Sequence, residues 1–82
     1  MSRRAGVVKW YKEDKGYGRI LLEGQDGDDV FVHFSAIRPD PLRFPTGYRF
    51  LQAGQKVAFD LFETHASDRQ RFTAADVEIL LD

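Results

Sequence analysis

The apolar residues of this chain come in short runs of period two, each cut off by turn-forming residues before a helix could be completed, and this limits its fold more than any other feature. Gly6 to Tyr11 (GVVKWY) opens with two β-branched residues followed by aromatics. After the polar stretch KEDK, Gly16 to Leu22 (GYGRILL) makes a second run. GQDGDD then supplies Asp26-Gly27, a pair suited to the positive φ of a tight hairpin, and Asp29 to Phe34 (DVFVHF) reads as a third strand. Ser35-Ala36-Ile37 fits a single helical turn. Pro39, Pro41 and Pro45 follow closely and exclude regular structure, so a long loop is expected to about Gln52. Val57, Phe59 and Leu61, alternating with Ala58, Asp60 and Phe62, predict a fourth strand, and HASDRQR is a polar connection. Phe72 to Leu80 predicts a fifth, with Thr73, Ala75, Val77 and Ile79 in one phase. A helix is the alternative there, because Ala, Glu and Leu favour one. The need for a strand to close the sheet decides for β.

Five short strands with glycine-rich turns point to an antiparallel barrel or sandwich. The smallest closed solution is a five-stranded OB-type barrel, which also removes exposed edges. The expected fold is therefore all-β, a five-stranded antiparallel OB-fold barrel. Eighty-two residues suit one domain, 1–82, with an N-terminal arm at 1–5 and an extended loop at 38–52. Without cysteine there is no disulfide or thiolate zinc site to propose. His33 and His65 lack ligand spacing, Asp26, Asp28 and Asp29 read as turn residues, and no nucleophile is paired with a base. No cofactor, metal or enzymatic activity is expected. No apolar run approaches the roughly 20 residues of a membrane span or has the form of a signal peptide, which makes a cytoplasmic location the expectation, with no membrane partner.

The net charge of −1 argues against a mainly electrostatic nucleic-acid binder. Its distribution is uneven. Arg3, Arg4, Lys9, Lys12, Lys15 and Arg19 all lie within residues 1–19, the part of the chain that holds the first two strands, with only Glu13 and Asp14 against them, and the remainder of the chain is acidic.

Alternation also assigns faces. In the second strand Gly16, Gly18 and Ile20 share one phase and Tyr17 and Arg19 the other. In the third, Val30 and Val32 oppose Phe31 and His33. With the small and aliphatic phases inside, Tyr17, Arg19, Phe31 and His33 stand together outside. Lys9, Trp10, Lys15 and Phe34 can border them. A single aromatic in a strand is ordinarily core, but here the valines and Ile20 already take that role. Several exposed aromatics beside lysines suit a ligand that is flat, apolar and negatively charged nearby. Nucleobases on a phosphate chain meet that description, and single strands more than duplexes, whose bases stack on each other.

KWYKEDKGYGRI followed by DVFVHFSAI strongly resembles the cold shock domain family, whose two motifs usually read close to KGFGFI and VFVHF. The likeness runs from Gly6 to Ile37, resumes at GYRFLQAGQKVAFDL and ends with TAADV, where the family often has QAANV. The resemblance implies a five-stranded barrel that binds single-stranded RNA and DNA by base stacking, with RNA-chaperone and regulatory roles in stress. Carried over residue by residue, its stacking set falls on Trp10, Tyr17, Phe31, His33, Phe34 and Tyr48, with Lys9 and Lys15 as polar contacts. Tyr48 is selected by the resemblance alone. Tyr11, where the family commonly has phenylalanine, Lys12, Arg19, Phe44 and Arg49 are further candidates.

Two departures from the pattern matter. Arg19 stands where the family usually has the second outward phenylalanine; its guanidinium can stack on a base and reach a phosphate, or it can merely solvate a weakened site. The loop RPDPLRFPTGYRFLQ is longer than usual and interleaves Arg38, Arg43 and Arg49 with Phe44, Tyr48 and Phe50. It can extend the stacking surface, pack on the barrel, or contact a protein partner. The rival to nucleic-acid binding is accordingly a protein-interaction module.

Overall fold

A computed structural model describes residues 2–23, 29–63 and 72–82. The Asp26-Gly27 turn and HASDRQR lie outside the described residues. Five strands, β1 (Ser2–Lys12), β2 (Tyr17–Leu22), β3 (Asp29–His33), β4 (Lys56–Glu63) and β5 (Phe72–Leu81), close a barrel in the order β1-β2-β3-β5-β4. A 3₁₀ turn, Phe34–Ala36, follows β3 one residue earlier than the expected helical turn. The seams are antiparallel except for β3 with β5, which run parallel and pair at Phe31↔Thr73, with a further parallel bridge at Ile37↔Val77.

The expected alternation holds in β2, β3 and β4. Ile20, Val30, Val32, Val57 and Phe59 have no exposed surface, and Gly16 and Gly18 are buried with them. In β5 a single phase does not run through. Ala74 is buried and so is Val77, because the register shifts between Ala58↔Glu78 and Asp60↔Ala75, so that β5 carries one residue more than β4. Asp76 lies in this bulge at φ 51°, a conformation aspartate tolerates better than most residues. Arg38 chelates its carboxylate with bonds of 3.0 and 2.7 Å, and Arg3 Nη1 donates to its carbonyl oxygen at 2.8 Å.

Over residues 2–5, the expected arm is instead the start of β1, paired with β4 from Ser2↔Leu61 to Ala5↔Ala58. This pairing satisfies the backbone of β4, which would otherwise be an open edge. The 38–52 loop folds onto the barrel. Phe44 and Leu51 enter the core, and the Phe44 ring meets Phe50 edge-on at 5.6 Å. Its arginines are committed to the protein: Arg38 to Asp76, Arg43 to Asp82 at 2.7 Å, and Arg49 Nη1 to the Ile37 carbonyl at 2.8 Å. No helix among the described residues is long and apolar enough to cross a membrane.

Candidate nucleic-acid interface

The outward face of β1, β2 and β3 is set by two devices. The first is a bulge in β1. Val8 pairs with Ile20 but Trp10 pairs with Arg19, so Lys9 is an extra residue and the strand changes phase. Val8 points into the core; without the bulge Trp10 would follow it. With the bulge Trp10 faces out and Tyr11 turns inward to pack against the core. The second device is Gly18. A Cβ there would lie 2.4 Å from the Trp10 carbonyl oxygen and 2.9 Å from Tyr11 Cα, so only glycine lets β2 approach β1 this closely beneath the bulge.

Register then lines up two outward rows, Trp10–Arg19–Phe31 and Lys12–Tyr17–His33. The rings connect diagonally between the rows. Trp10 meets Tyr17 edge-on at 6.0 Å, Tyr17 and Phe31 stack at 6.0 Å with planes 29° apart, and His33 and Phe34 lie 4.4 Å apart. Trp10, Tyr17, Phe31 and His33 are half-buried and Phe34 is exposed, so two groups of rings, adjoining at the Tyr17↔His33 register, form an aromatic platform over a sealed core. Gly16, at φ 76°, makes room for Phe34: a Cβ would come within 2.9 Å of its ring.

Polar groups rim this platform. Lys9 Nζ pairs with Asp29 at 3.2 Å, Lys12 Nζ lies 5.5 Å from the centre of the Trp10 ring, and Lys15 is exposed in the β1–β2 turn. His33 Nδ1 accepts from the Ser35 backbone N–H at 3.3 Å and lies 2.8 Å from Ser35 Oγ. That bond assigns the neutral ring its proton on Nε2, which leaves a donor for a ligand. Arg19 Cζ sits 5.3 Å from the centre of the Phe31 ring. Tyr48 arrives from the long loop: its O–H donates to the Glu13 carbonyl, and its half-exposed ring stacks on Phe50 at 5.8 Å.

Of the thirteen candidates, Lys9, Trp10, Lys12, Lys15, Tyr17, Arg19, Phe31, His33 and Phe34 are brought together, and Tyr48 borders them at the β1–β2 turn. Three candidates stand apart from this group. Phe44 is 5% exposed and belongs to the core. Arg49 spends its guanidinium on the Ile37 carbonyl. Tyr11 faces inward with its hydroxyl buried and without a hydrogen-bond partner among the described residues; burial, with Tyr48 and Glu13 adding to it, pushes its pKa up to about 12. Sequence reasoning missed three supports: Ser35, which orients His33; Asp29, which holds Lys9; and Phe50, which backs Tyr48. Only Ser35 carried a signal, as a hydroxyl two residues after the side chain it fixes.

The model of the 'Cold-shock' DNA-binding domain matches residues 4–80 of this sequence. The chain belongs to the cold shock domain family. It is 52% identical over 64 residues to Cold shock protein 1 of Lactiplantibacillus plantarum, which covers 78% of this chain and 80% of that protein. It is 50% identical over 56 residues to Cold shock protein CspC of Bacillus subtilis, covering 68% and 73%, and 47% identical over 60 residues to Cold shock-like protein CspLB of Listeria monocytogenes, covering 73% and 79%. Cold shock domains are nucleic-acid-binding modules, and the closed five-stranded barrel is the OB-type architecture of that class. Within this cold shock domain the aromatic platform and its lysine rim have the chemistry that nucleic acid requires: flat apolar surface for bases and positive charge for phosphates.

Proposed function

We propose that this cold shock domain binds single-stranded RNA and DNA with little sequence preference, by stacking bases on Trp10, Tyr17, Phe31, His33 and Phe34, with Lys9, Lys12 and Lys15 near the phosphates and Tyr48 extending the surface. The observation that carries the reading is the outward set of rings, Trp10–Tyr17–Phe31 and His33–Phe34, with contacts of 4.4 to 6.0 Å and the two groups adjoining at the Tyr17↔His33 register, above valines with no exposed surface. Each stacked base contributes about 1 to 3 kcal/mol, so five such rings offer roughly 5 to 15 kcal/mol before ordering costs. That range reaches micromolar to nanomolar affinity without a large net charge.

A protein that binds open strands and not paired ones draws RNA hairpins open by mass action, without ATP. RNA-chaperone activity in the cytoplasm, and through it control of transcription and translation under cold or other stress, is the cellular role that accompanies this binding mode. The test is a titration with a short oligothymidine followed by Trp10 fluorescence, beside a folded Phe31→Ala/His33→Ala variant. Saturable quenching that the variant loses by tenfold or more is the expected result. No quenching at tens of micromolar would turn the search to protein partners of the 38–52 loop, whose Leu42 is 96% exposed.

A further inference from the structure

Arg19 occupies the middle of the platform. Its cross-strand neighbours are Trp10 on one side and Phe31 on the other, and its guanidinium lies over the Phe31 ring at 5.3 Å. Four other arginines, Arg3, Arg38, Arg43 and Arg49, are each tied to a carboxylate or a carbonyl, whereas Arg19 makes no hydrogen bond or ion pair with the described residues. Its five N–H donors are therefore held in place by a ring and have no acceptor among those residues.

Position decides what they meet. On a face where bases lie flat against rings, a group between rings meets bases, and a group at the rim meets phosphates. The rim is already served by Lys9, Lys12 and Lys15. A guanidinium offers two parallel donors, which match two adjacent acceptors on a base edge: O6/N7 of guanine or N3/O2 of cytosine, whereas thymine has no such pair; of the two, the purine guanine also offers the larger face for stacking beside Phe31. Contact with Phe31 also limits the freedom Arg19 would lose on binding.

We propose that Arg19 is a specificity-determining residue that makes the central subsite, over Phe31, prefer guanine, with its guanidinium reading O6 and N7. The inference rests on the stacking function proposed above and adds a base preference to one position of an otherwise tolerant surface.

The test compares heptathymidine with heptathymidines carrying one guanine at each position in turn, for the wild-type protein, Arg19→Lys and Arg19→Phe, with folding checked by circular dichroism. In the wild type, at least one placement should bind about fivefold or more tighter than heptathymidine. Arg19→Phe should abolish that gain yet still bind heptathymidine. Arg19→Lys, a point charge without the fork, should lose most of it, and 7-deazaguanine at the preferred position should cut it in the wild type. The inference alone is overturned if wild type binds heptathymidine but gains from no guanine, or if Arg19→Phe keeps the gain. It is also overturned if Arg19→Phe weakens every oligonucleotide equally and flattens the salt slope by about one, the signature of a phosphate contact. Failure of every oligonucleotide to bind would overturn the stacking function and this inference with it.

Discussion

Replacing Tyr11 with phenylalanine should stabilise the barrel and leave the binding face untouched. The Tyr11 ring packs against the core, and its hydroxyl is buried with no hydrogen-bond partner among the described residues. Leaving a buried polar group unpaired costs about 1 to 3 kcal/mol, and phenylalanine removes the group while keeping the ring. A gain of about 1 kcal/mol is expected at neutral pH, or roughly 4 to 8 °C in Tm for a domain of this size. Alkali supplies an independent reading. Folding raises the phenol's pKa from 10.0 to about 12, so the folded state holds that proton more tightly. The associated stability is intact below the unfolded value and is lost as pH rises through about 12. Wild type should therefore lose stability over that window with a slope of at most about 1.4 kcal/mol per pH unit, and about half of that once solvent screening of the partly exposed ring is allowed for. Urea denaturation of the two proteins at pH 7 and across the alkaline range measures both effects. A loss of stability at pH 7 in Tyr11→Phe, an alkaline slope identical to wild type, or weaker oligothymidine binding would refute the inward placement of this ring.

Gly18→Ala should destabilise the fold by about 2 kcal/mol or more in urea denaturation, because the new Cβ would meet the backbone at Trp10 and Tyr11, which cannot move aside as a side-chain tip could. It should also shift the Trp10 emission spectrum as β1 is displaced. Asp76 is held below the usual carboxylate range, first by its hydrogen bond from Arg38 and then by the charges of Arg38 and Arg3. Its contribution is complete above the ordinary carboxyl pKa and is lost as pH falls through the lowered one, so the stability gap between wild type and Asp76→Asn should be widest near neutrality and shrink in acid. The salt dependence of oligothymidine binding should have a log-log slope near −2, as expected for about three phosphate contacts to a single strand. A slope steeper than about −5 would contradict a stacking-dominated interface.

The fold and most of the candidate face could be read from strands in which period two is undisturbed. In β2 and β3 the positions of Ile20, Val30 and Val32 are enough to place Tyr17, Phe31 and His33 outside. Legibility fails where a residue is added to one strand of a pair. The bulges at Lys9 and Asp76 reverse the phase, so strict alternation from Val8 would turn Tyr11 outward and gives β5 one continuous inner face that the structure does not have. The long loop hides its roles for a different reason. Irregular backbone has no period, so neither the burial of Phe44 nor the ties of Arg38, Arg43 and Arg49 could be read from residue spacing.

The bulge at Lys9 separates the fates of two neighbouring positions. Trp10 answers to the ligand and Tyr11 to the core, though one peptide bond joins them. Deleting a single residue between Val8 and Trp10 would leave the composition of the strand nearly intact and exchange those two roles, burying an indole and exposing a phenol. For an evolving lineage this makes β1 permissive to substitution but unforgiving of a change in length, and the tolerance of variants at positions 10 and 11 should diverge accordingly: aromatic exchange at the first judged by binding, and at the second by stability alone.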